Sequence, residues 1–331
     1  MSRHKKIIVS PSGNLYGSEN VLYEYLCNTK LLFDQIYVPK NSIFFKKLES
    51  LEIKKKTFVF VKCLYLRIFC QLIFDDVKIV YLNEAGHVKY VQLLALFFRN
   101  VKFVVHIRLL EDTYRVKKQN SNITYVAISK FIQSSTHVFS HLIYDGYSFK
   151  NLIDWNIRNV SRPRVGIVGR VAKSKGFYFF NEQFIQQNGK NMEFHFFGEV
   201  DKDVKGEGSF ETIKKLNNVF FHGFIPEQEK IYADLNILLH VNALEPLGRI
   251  FFESLDFGIP LFGTKSGGIG EIAELIDYPF VYNIDDLSAG IYEYFNLTLG
   301  SFNSRLDLSR KKALEIFSVT LYANKLDNLL M

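Results

Sequence analysis

Two glutamates stand eight positions apart in Glu245-Pro246-Leu247-Gly248-Arg249-Ile250-Phe251-Phe252-Glu253, and Gly267-Gly268-Ile269-Gly270-Glu271 follows closely. At roughly 3.6 residues per helical turn, that spacing is slightly more than two turns. A helix running from Leu247 would hold Glu253 within it and leave Glu245 just ahead of its N-terminus. There the unpaired backbone N–H groups and the positive end of the helix dipole favour anions. Two carboxylates and a cluster of amides facing one ligand suit a molecule with both hydroxyls and phosphates. A nucleotide sugar has both.

Three glycine-containing turns follow expected strands. They are Pro11-Ser12-Gly13-Asn14-Leu15-Tyr16-Gly17-Ser18-Glu19, then Gly169-Arg170-Val171-Ala172-Lys173-Ser174-Lys175-Gly176, and finally Gly198 after Phe196-Phe197. Glycine at the end of a parallel strand lets backbone amides approach a ligand closely. Arg170 and Lys175 add two cations of the kind a diphosphate leaving group needs. None of the turns matches GxGxxG or a Walker A motif, so a dinucleotide or ATPase site has little support. Asp201-Lys202-Asp203 looks like a metal-binding DxD motif but reads as a solvated charged loop, as do Asp75-Asp76 and Asp285-Asp286. No metal is implied.

The elements that must position these residues alternate along the chain. In the first half, Lys6–Ser10, Gln35–Val38, Thr57–Val61, Ile79–Leu82, Phe103–Ile107 and Tyr125–Ile128 read as buried strands, with a helix over Ser18–Asn28. In the second half, Arg164–Val168, Glu193–Phe197, Val219–Phe221, Ile237–Val241, Pro260–Gly263 and Pro279–Tyr282 repeat the pattern. Strands alternating with helices predict an α/β protein with two doubly wound parallel sheets. At 331 residues the chain exceeds one ordinary core. The expected domains are residues 1–157 and 158–331, with the break in the Asn151–Pro163 stretch. Ser309 to Leu330 reads as an amphipathic helix whose docking partner composition leaves open.

The chain resembles the retaining GT-B glycosyltransferases, and within them the family 4 group (glycosyl transferases group 1) that includes bacterial polysaccharide and lipid glycosyltransferases. The resemblance is carried by Gly169-Arg170 with Lys175-Gly176, by Glu245 and Glu253 with Pro246 and Gly248 between, and by Gly258-Ile259-Pro260 running on to Gly267-Gly268 and Glu271. Looser matches are Tyr16-Gly17-Ser18-Glu19, Val105-His106, Ala127-Ile128-Ser129-Lys130, Tyr144-Asp145-Gly146 and Phe317-Ser318. That resemblance implies two Rossmann-like domains facing across a cleft, with a terminal helix that can cross back to the first domain. It implies Arg170 and Lys175 on the diphosphate, Glu253 on the ribose, and Glu245 on sugar hydroxyls with amides near Leu247 and Gly248 assisting. His106 would reach the transferring sugar, while Gly17, Ser18 and Gly169 would line the phosphate side. It also implies a UDP-, GDP-, dTDP- or ADP-sugar donor, a glycan acceptor, no cofactor and no general base on the enzyme. Tyr16 replaces the first glycine of the usual pair, and Ile107 stands where an aspartate is common.

Charge is unevenly placed. Residues 1–160 carry 23 Lys+Arg against 12 Asp+Glu, a balance of +11, whereas residues 161–331 carry 18 against 22, a balance of −4. Basic residues of the first half are interleaved with apolar ones, in Phe44-Phe45-Lys46-Lys47, in Lys54-Lys55-Lys56-Thr57-Phe58, and at Lys62 and Arg67. That mixture suits an anionic membrane surface better than nucleic acid. An ordinary solvated basic face is the bland alternative. Cys27, Cys63 and Cys70 have no CxxC spacing, which argues against a disulfide framework and favours a reducing cytoplasm. The expectation is a cytoplasmic enzyme, peripheral on the inner face of the membrane, that extends a lipid-linked glycan. A sugar-nucleotide epimerase and a non-catalytic partner subunit are rival readings of the same fold.

Overall fold

The computed structural model describes residues 4–155, 160–181, 184–185, 192–296 and 302–331. The expected break between residues 157 and 158 lies outside them. The chain forms two compact units: residues up to Ser148 together with Ile316–Met331, and Phe149–Glu315.

Unit 1 is built on seven parallel strands: β1 Lys5–Val9, β2 Gln35–Pro39, β3 Lys54–Phe58, β4 Val77–Leu82, β5 Lys102–Ile107, β6 Ile123–Ala127 and β7 Ser140–Leu142. Their order is β3-β2-β1-β4-β5-β6-β7. The central strand β1 places Ile8 opposite both Ile36 and Tyr81. Ile7, Ile8 and Val9 are fully buried, as expected of a strand covered on both faces. The helices are α1 Gly17–Asn28, α2 Ile43–Lys47, α3 Val61–Phe74, α4 Val88–Phe97, α5 Leu110–Arg115 and α6 Lys130–Ser134. On one face of the sheet, Val21, Leu22 and Tyr25 of α1 pack with Ile8, Ile36 and Val104.

The expected strand over Thr57–Val61 is displaced. The strand is Lys54–Phe58, and Val61 already opens α3. β3 pairs only with β2 and is an edge, so its lysines stay solvated and blunt it against further pairing. That removes the apolar signal by which buried strands are read. The three-residue edge strand β7 gave no signal either.

Unit 2 holds six parallel strands: β8 Arg164–Val168, β9 Glu193–Phe197, β10 Val219–Gly223, β11 Ile237–His240, β12 Leu261–Thr264 and β13 Val281–Tyr282, in the order β10-β9-β8-β11-β12-β13. Its helices are α7 Gly208–Ile213, α8 Gln228–Tyr232, α9 Arg249–Phe257, α10 Gly267–Leu275, α11 Leu287–Asn296 and α12 Asn303–Phe317. Unit 1 regains a last helix, α13 Val319–Leu330.

The single terminal helix expected from the sequence is thus two. Between them Ser318 is extended, and the chain bonds to unit 1 at once: Tyr147 N–H donates to Phe317 O (2.8 Å) and Val319 N–H to Tyr147 O (3.1 Å). α13 then puts Tyr322, Ala323, Leu326 and Leu330 into the core with α1. Buried Asp327 accepts from Tyr25 Oη (2.7 Å), from Lys30 N (2.9 Å) and from Thr29.

In both sheets the strand order reverses beside the first strand, between β1 and β4 and again between β8 and β11. In open parallel sheets the crevice beyond such a reversal, at the C-terminal strand ends, is where ligands sit.

Candidate active site

In unit 2 the two loops at the reversal carry Lys175 and Glu245. After β8, Gly169 N–H donates to Phe197 O (2.9 Å), and Arg170 reaches Asp201 through Nη1 (3.1 Å). A 3-10 turn over Lys173–Lys175 follows, closed by Gly176 at φ +79°. A Cβ at Gly176 would lie 2.8 Å from Val241 O, so a larger residue would push this turn off the end of β11. The close approach brings Lys175 Nζ to 2.9 Å from Glu245 Oε2. Asn242 Nδ2 donates to the same oxygen (2.7 Å), and His240 Nε2 lies 3.5 Å from it.

Burial by itself would raise the Glu245 carboxyl. The His240 ring and the Lys175 charge outweigh that and hold it well below the usual carboxylate range. Glu245 is therefore a fixed, ionised acceptor. Its backbone is pinned as well, since Gly268 N–H, at the start of α10, donates to Glu245 O (2.7 Å).

The helix expected from Leu247 begins at Arg249. Gly248 caps it at φ +99°, a conformation L side chains rarely adopt, and Leu247 is buried. Glu245 therefore stands further ahead of the helix than its spacing suggested. Glu253 lies within α9 and receives Gln228 Nε2 (3.0 Å) on Oε1 and Tyr232 Oη on Oε2. A carboxylate accepts more than two hydrogen bonds, so Glu253 keeps capacity for a ligand hydroxyl.

The metal-like Asp201-Lys202-Asp203 is engaged locally. Asp201 is the counterion of Arg170, and Asp203 accepts from Lys173 N (3.2 Å). Among the described residues, no group of three or more His, Cys, Asp or Glu is arranged to hold a metal.

In unit 1 the reversal is lined by α1 and the loop after β4. Gly17 opens α1, and Ser18 Oγ contacts Glu19 Oε2 (3.1 Å) and Glu84 Oε1. Glu19 is fully buried, and Tyr16 N–H donates to it (3.2 Å). A hydroxyl has one proton to give, so Ser18 can donate to only one of the two carboxyls. Burial, and then the neighbouring Glu19, raise the Glu84 carboxyl to about 7.

His106, near the end of β5, is fully buried, and its Nδ1 lies 2.6 Å from Tyr81 Oη. Burial, followed by the charge of Arg108, keeps the ring neutral. Its Nε2 has no hydrogen-bond partner among the described residues. Arg108, buried beside it, pairs with Asp145 and reaches Asn83 Oδ1 (3.2 Å) and Tyr322 Oη (3.2 Å).

The structure thus joins Lys175 to Glu245 and Arg170 to Asp201 in unit 2, places Gly169, Leu247, Gly248 and Glu253 in the same strand-end loops and helix, and puts Gly17, Ser18 and His106 in unit 1. Reading the sequence missed His240, Asn242, Gln228 and Tyr232 in unit 2, and Tyr81, Glu84 and Arg108 in unit 1. Asp145 alone carried a signal, inside Tyr144-Asp145-Gly146.

Comparison with known proteins agrees with this fold. Residues 162–293 match the family described as glycosyl transferases group 1. The match takes in Arg170, Lys175, Glu245 and Glu253. An uncharacterized 42.6 kDa protein in the cps region of Klebsiella pneumoniae is 26% identical over 204 residues, 59% of this chain and 50% of that protein. The chain thus aligns with about half the length of this relative.

Among solved structures, Anabaena HepE in complex with UDP and glucose superposes with a TM-score of 0.81 at 17% identity, over 99% of both chains. The lipopolysaccharide outer core galactosyltransferase WaaB gives 0.73 at 14% identity, over 98% of both. The chain has the GT-B glycosyltransferase fold.

Proposed function

We propose that this protein transfers a sugar from a nucleotide-sugar donor to a hydroxyl of a glycan acceptor in bacterial surface-polysaccharide synthesis. The observation that carries the reading is the Lys175–Glu245 pair, set at the strand reversal inside the residues that match the group 1 family. Glu245, held ionised, accepts hydrogen bonds from sugar hydroxyls. Lys175 has three N–H donors and gives one to Glu245, leaving two for a diphosphate. Arg170, Gly169 and the amides at Leu247 and Gly248 complete the phosphate and sugar contacts, and Glu253 takes the ribose. In unit 1, Gly17 and Ser18 are assigned to the phosphate side, and His106 to a sugar hydroxyl through Nε2, a buried atom with no hydrogen-bond partner among the described residues.

Breaking the anomeric bond leaves positive charge on the sugar and adds negative charge to the departing diphosphate. Cations fixed before reaction stabilise that charge more as it grows, which lowers the barrier. Arg170 and Lys175 supply this charge without a metal. The resemblance to retaining enzymes supports retention as the proposed outcome, with the departing phosphate oxygen taking the acceptor proton on the same face and no side chain assigned as nucleophile or general base. The acceptor is proposed to be lipid-linked, and the location cytoplasmic.

The experiment has two stages. UDP-, GDP-, dTDP- and ADP-sugars are screened for thermal stabilisation, since a ligand bound only by the native state raises stability by mass action. UDP-glucose comes first, because HepE has been crystallised with it. The stabilising donor is then incubated with and without glycan acceptors, and anomeric configuration is read by NMR. Transfer with retention, lost in Glu245→Ala, is the expected result. An epimer formed from donor alone, or normal transfer by the variant, overturns the reading.

A further inference from the structure

We propose that unit 1 docks onto an anionic lipid surface through the outer faces of α3 and α4. On α3, Leu64, Tyr65, Ile68 and Leu72 face the core. The opposite face carries Cys63, Leu66, Cys70 and Ile73, all exposed, at the i, i+3, i+7, i+10 spacing that forms one stripe. A surface helix normally puts polar residues there. α4 repeats the anomaly with Leu93, Leu96 and Phe97 exposed, and Val59, Phe60 and Phe74 extend the surface at the ends of α3.

The two helices present one face because their aromatic residues interlock. Tyr65 stacks on Tyr90 with centroids 4.8 Å apart, and Phe69 meets Phe97 and Phe98 edge-on. An apolar surface of this extent on a folded unit marks a place where something binds.

Charge selects the occupant. Neither α3 nor α4 contains an acidic residue, whereas Lys62, Arg67 and Lys89 lie on them, Arg99 just follows α4, and Lys54 to Lys56 form the adjoining edge strand. The nearest carboxylates past α3 are already matched, Asp75 by Lys5 and Asp76 by Lys78 and His4. A second copy of the two helices would meet the first with like charges and no carboxylate on either helix to pair them. An anionic bilayer offers phosphates to the cations and an apolar layer to the leucines and phenylalanines.

At about 1.5 Å per residue α3 is roughly 21 Å long, short of the ~30 Å hydrocarbon layer, so it lies in the interface plane. Among the described residues no helix is long and apolar enough to cross a membrane. The sequence had placed Phe44 in the basic–aromatic surface. Phe44 is fully buried, and the surface belongs to α3 and α4 instead. Docking there deepens the lipid-linked acceptor reading, but its test does not require transfer to be observed.

In the full-length Cys27→Ser protein, Cys63 and Cys70 are labelled with a polarity-sensitive fluorophore and titrated with phosphatidylglycerol/phosphatidylcholine or pure phosphatidylcholine vesicles. Unlabelled protein is co-sedimented with the same vesicles. The expected result is a blue shift and brightening with the anionic vesicles only, weakened by salt. Leu66→Glu with Leu93→Glu should lower co-sedimentation at least about tenfold, with circular dichroism and thermal unfolding unchanged. Equal partition to neutral and anionic vesicles, undiminished binding by the variant, or a dimer that this variant dissolves and vesicles do not compete would each overturn the proposal.

Discussion

Glu84 and Glu245 hold matching places in their units: each lies in the loop after the fourth strand, beside the first strand of its sheet. Their protonation goes in opposite directions. Glu84 is pushed up to about 7 and Glu245 is held far below the ordinary carboxylate value. Burial raises both, so burial cannot separate them. Besides the His240 ring beside Glu245, the difference lies in what the segment after the first strand contributes. After β1 it contributes the carboxyl of Glu19, and after β8 the ammonium of Lys175. One scaffold position therefore gives a proton holder or a fixed anion according to its neighbours, Glu19 beside Glu84 but His240 and Lys175 beside Glu245.

The largest expected effect tests how far unit 1 depends on cancelled charge. Arg108 is a buried cation of unit 1, and Asp145 is its counterion. Arg108→Met takes the buried guanidinium away from the buried Asp145 carboxylate. Urea denaturation should show about 3–5 kcal/mol of lost stability. The double variant with Asp145→Leu should recover much of it, since the carboxylate is removed together with its buried cation. A loss below about 1 kcal/mol for the single variant would mean that water screens the pair as it does an exposed one.

Next comes the sign reversal in unit 2. Lys175→Met removes the cation that lowers Glu245, and kcat/KM for transfer should fall on the order of a hundredfold to a thousandfold. The pH behaviour should shift in step. A carboxyl with a depressed folded value contributes stability above its ordinary value of 4.5, and loses it as pH falls through the folded value. In Lys175→Met that acid loss should begin at higher pH. Acid unfolding followed by tryptophan fluorescence reads it, and an unchanged profile would leave the pairing without energetic consequence.

The opposite sign applies to Glu84. Its folded value is raised from 4.5 to about 7, so its contribution is fully present below 4.5 and is lost as pH rises through about 7. Glu84→Gln should flatten that decline, gaining roughly 2–3 kcal/mol over the native protein at pH 8 relative to pH 4.5. Thermal unfolding across that range checks it. A decline of the same slope in Glu84→Gln would assign the proton elsewhere in the Ser18–Glu19 cluster.

These outcomes bear on what the sequence could reveal. Alternation of β-branched strands with helices made both sheets legible, because central strands buried on both faces are apolar along their length. Edge strands β3 and β7 were not legible for the converse reason: lysines and brevity protect an edge and erase its signal. Glu245, Lys175 and Arg170 stood out through glycines and local spacing. Their pairing did not, since Lys175 and Glu245 are 70 positions apart and meet only because β8 and β11 are neighbours. His240 and Glu84 were invisible for a related reason, being ordinary residues until the fold gives them a partner.

The smallest expected effect concerns Asp201, where the sequence allowed a metal reading and the structure offers a counterion. The Arg170–Asp201 pair is half exposed, with 48% and 33% of the side chains accessible, and such pairs contribute at most about 1 kcal/mol. Asp201→Asn should therefore leave stability almost unchanged and alter donor affinity by less than about fivefold. It should if anything tighten binding, because Arg170 would no longer be shared with a carboxylate. Transfer should also survive a chelator. A metal ligand would behave differently: its loss would abolish transfer, and excess divalent cation would partly restore it. Isothermal titration of the stabilising donor into Asp201→Asn, with and without chelator, separates the two, since only a counterion role leaves affinity intact in both.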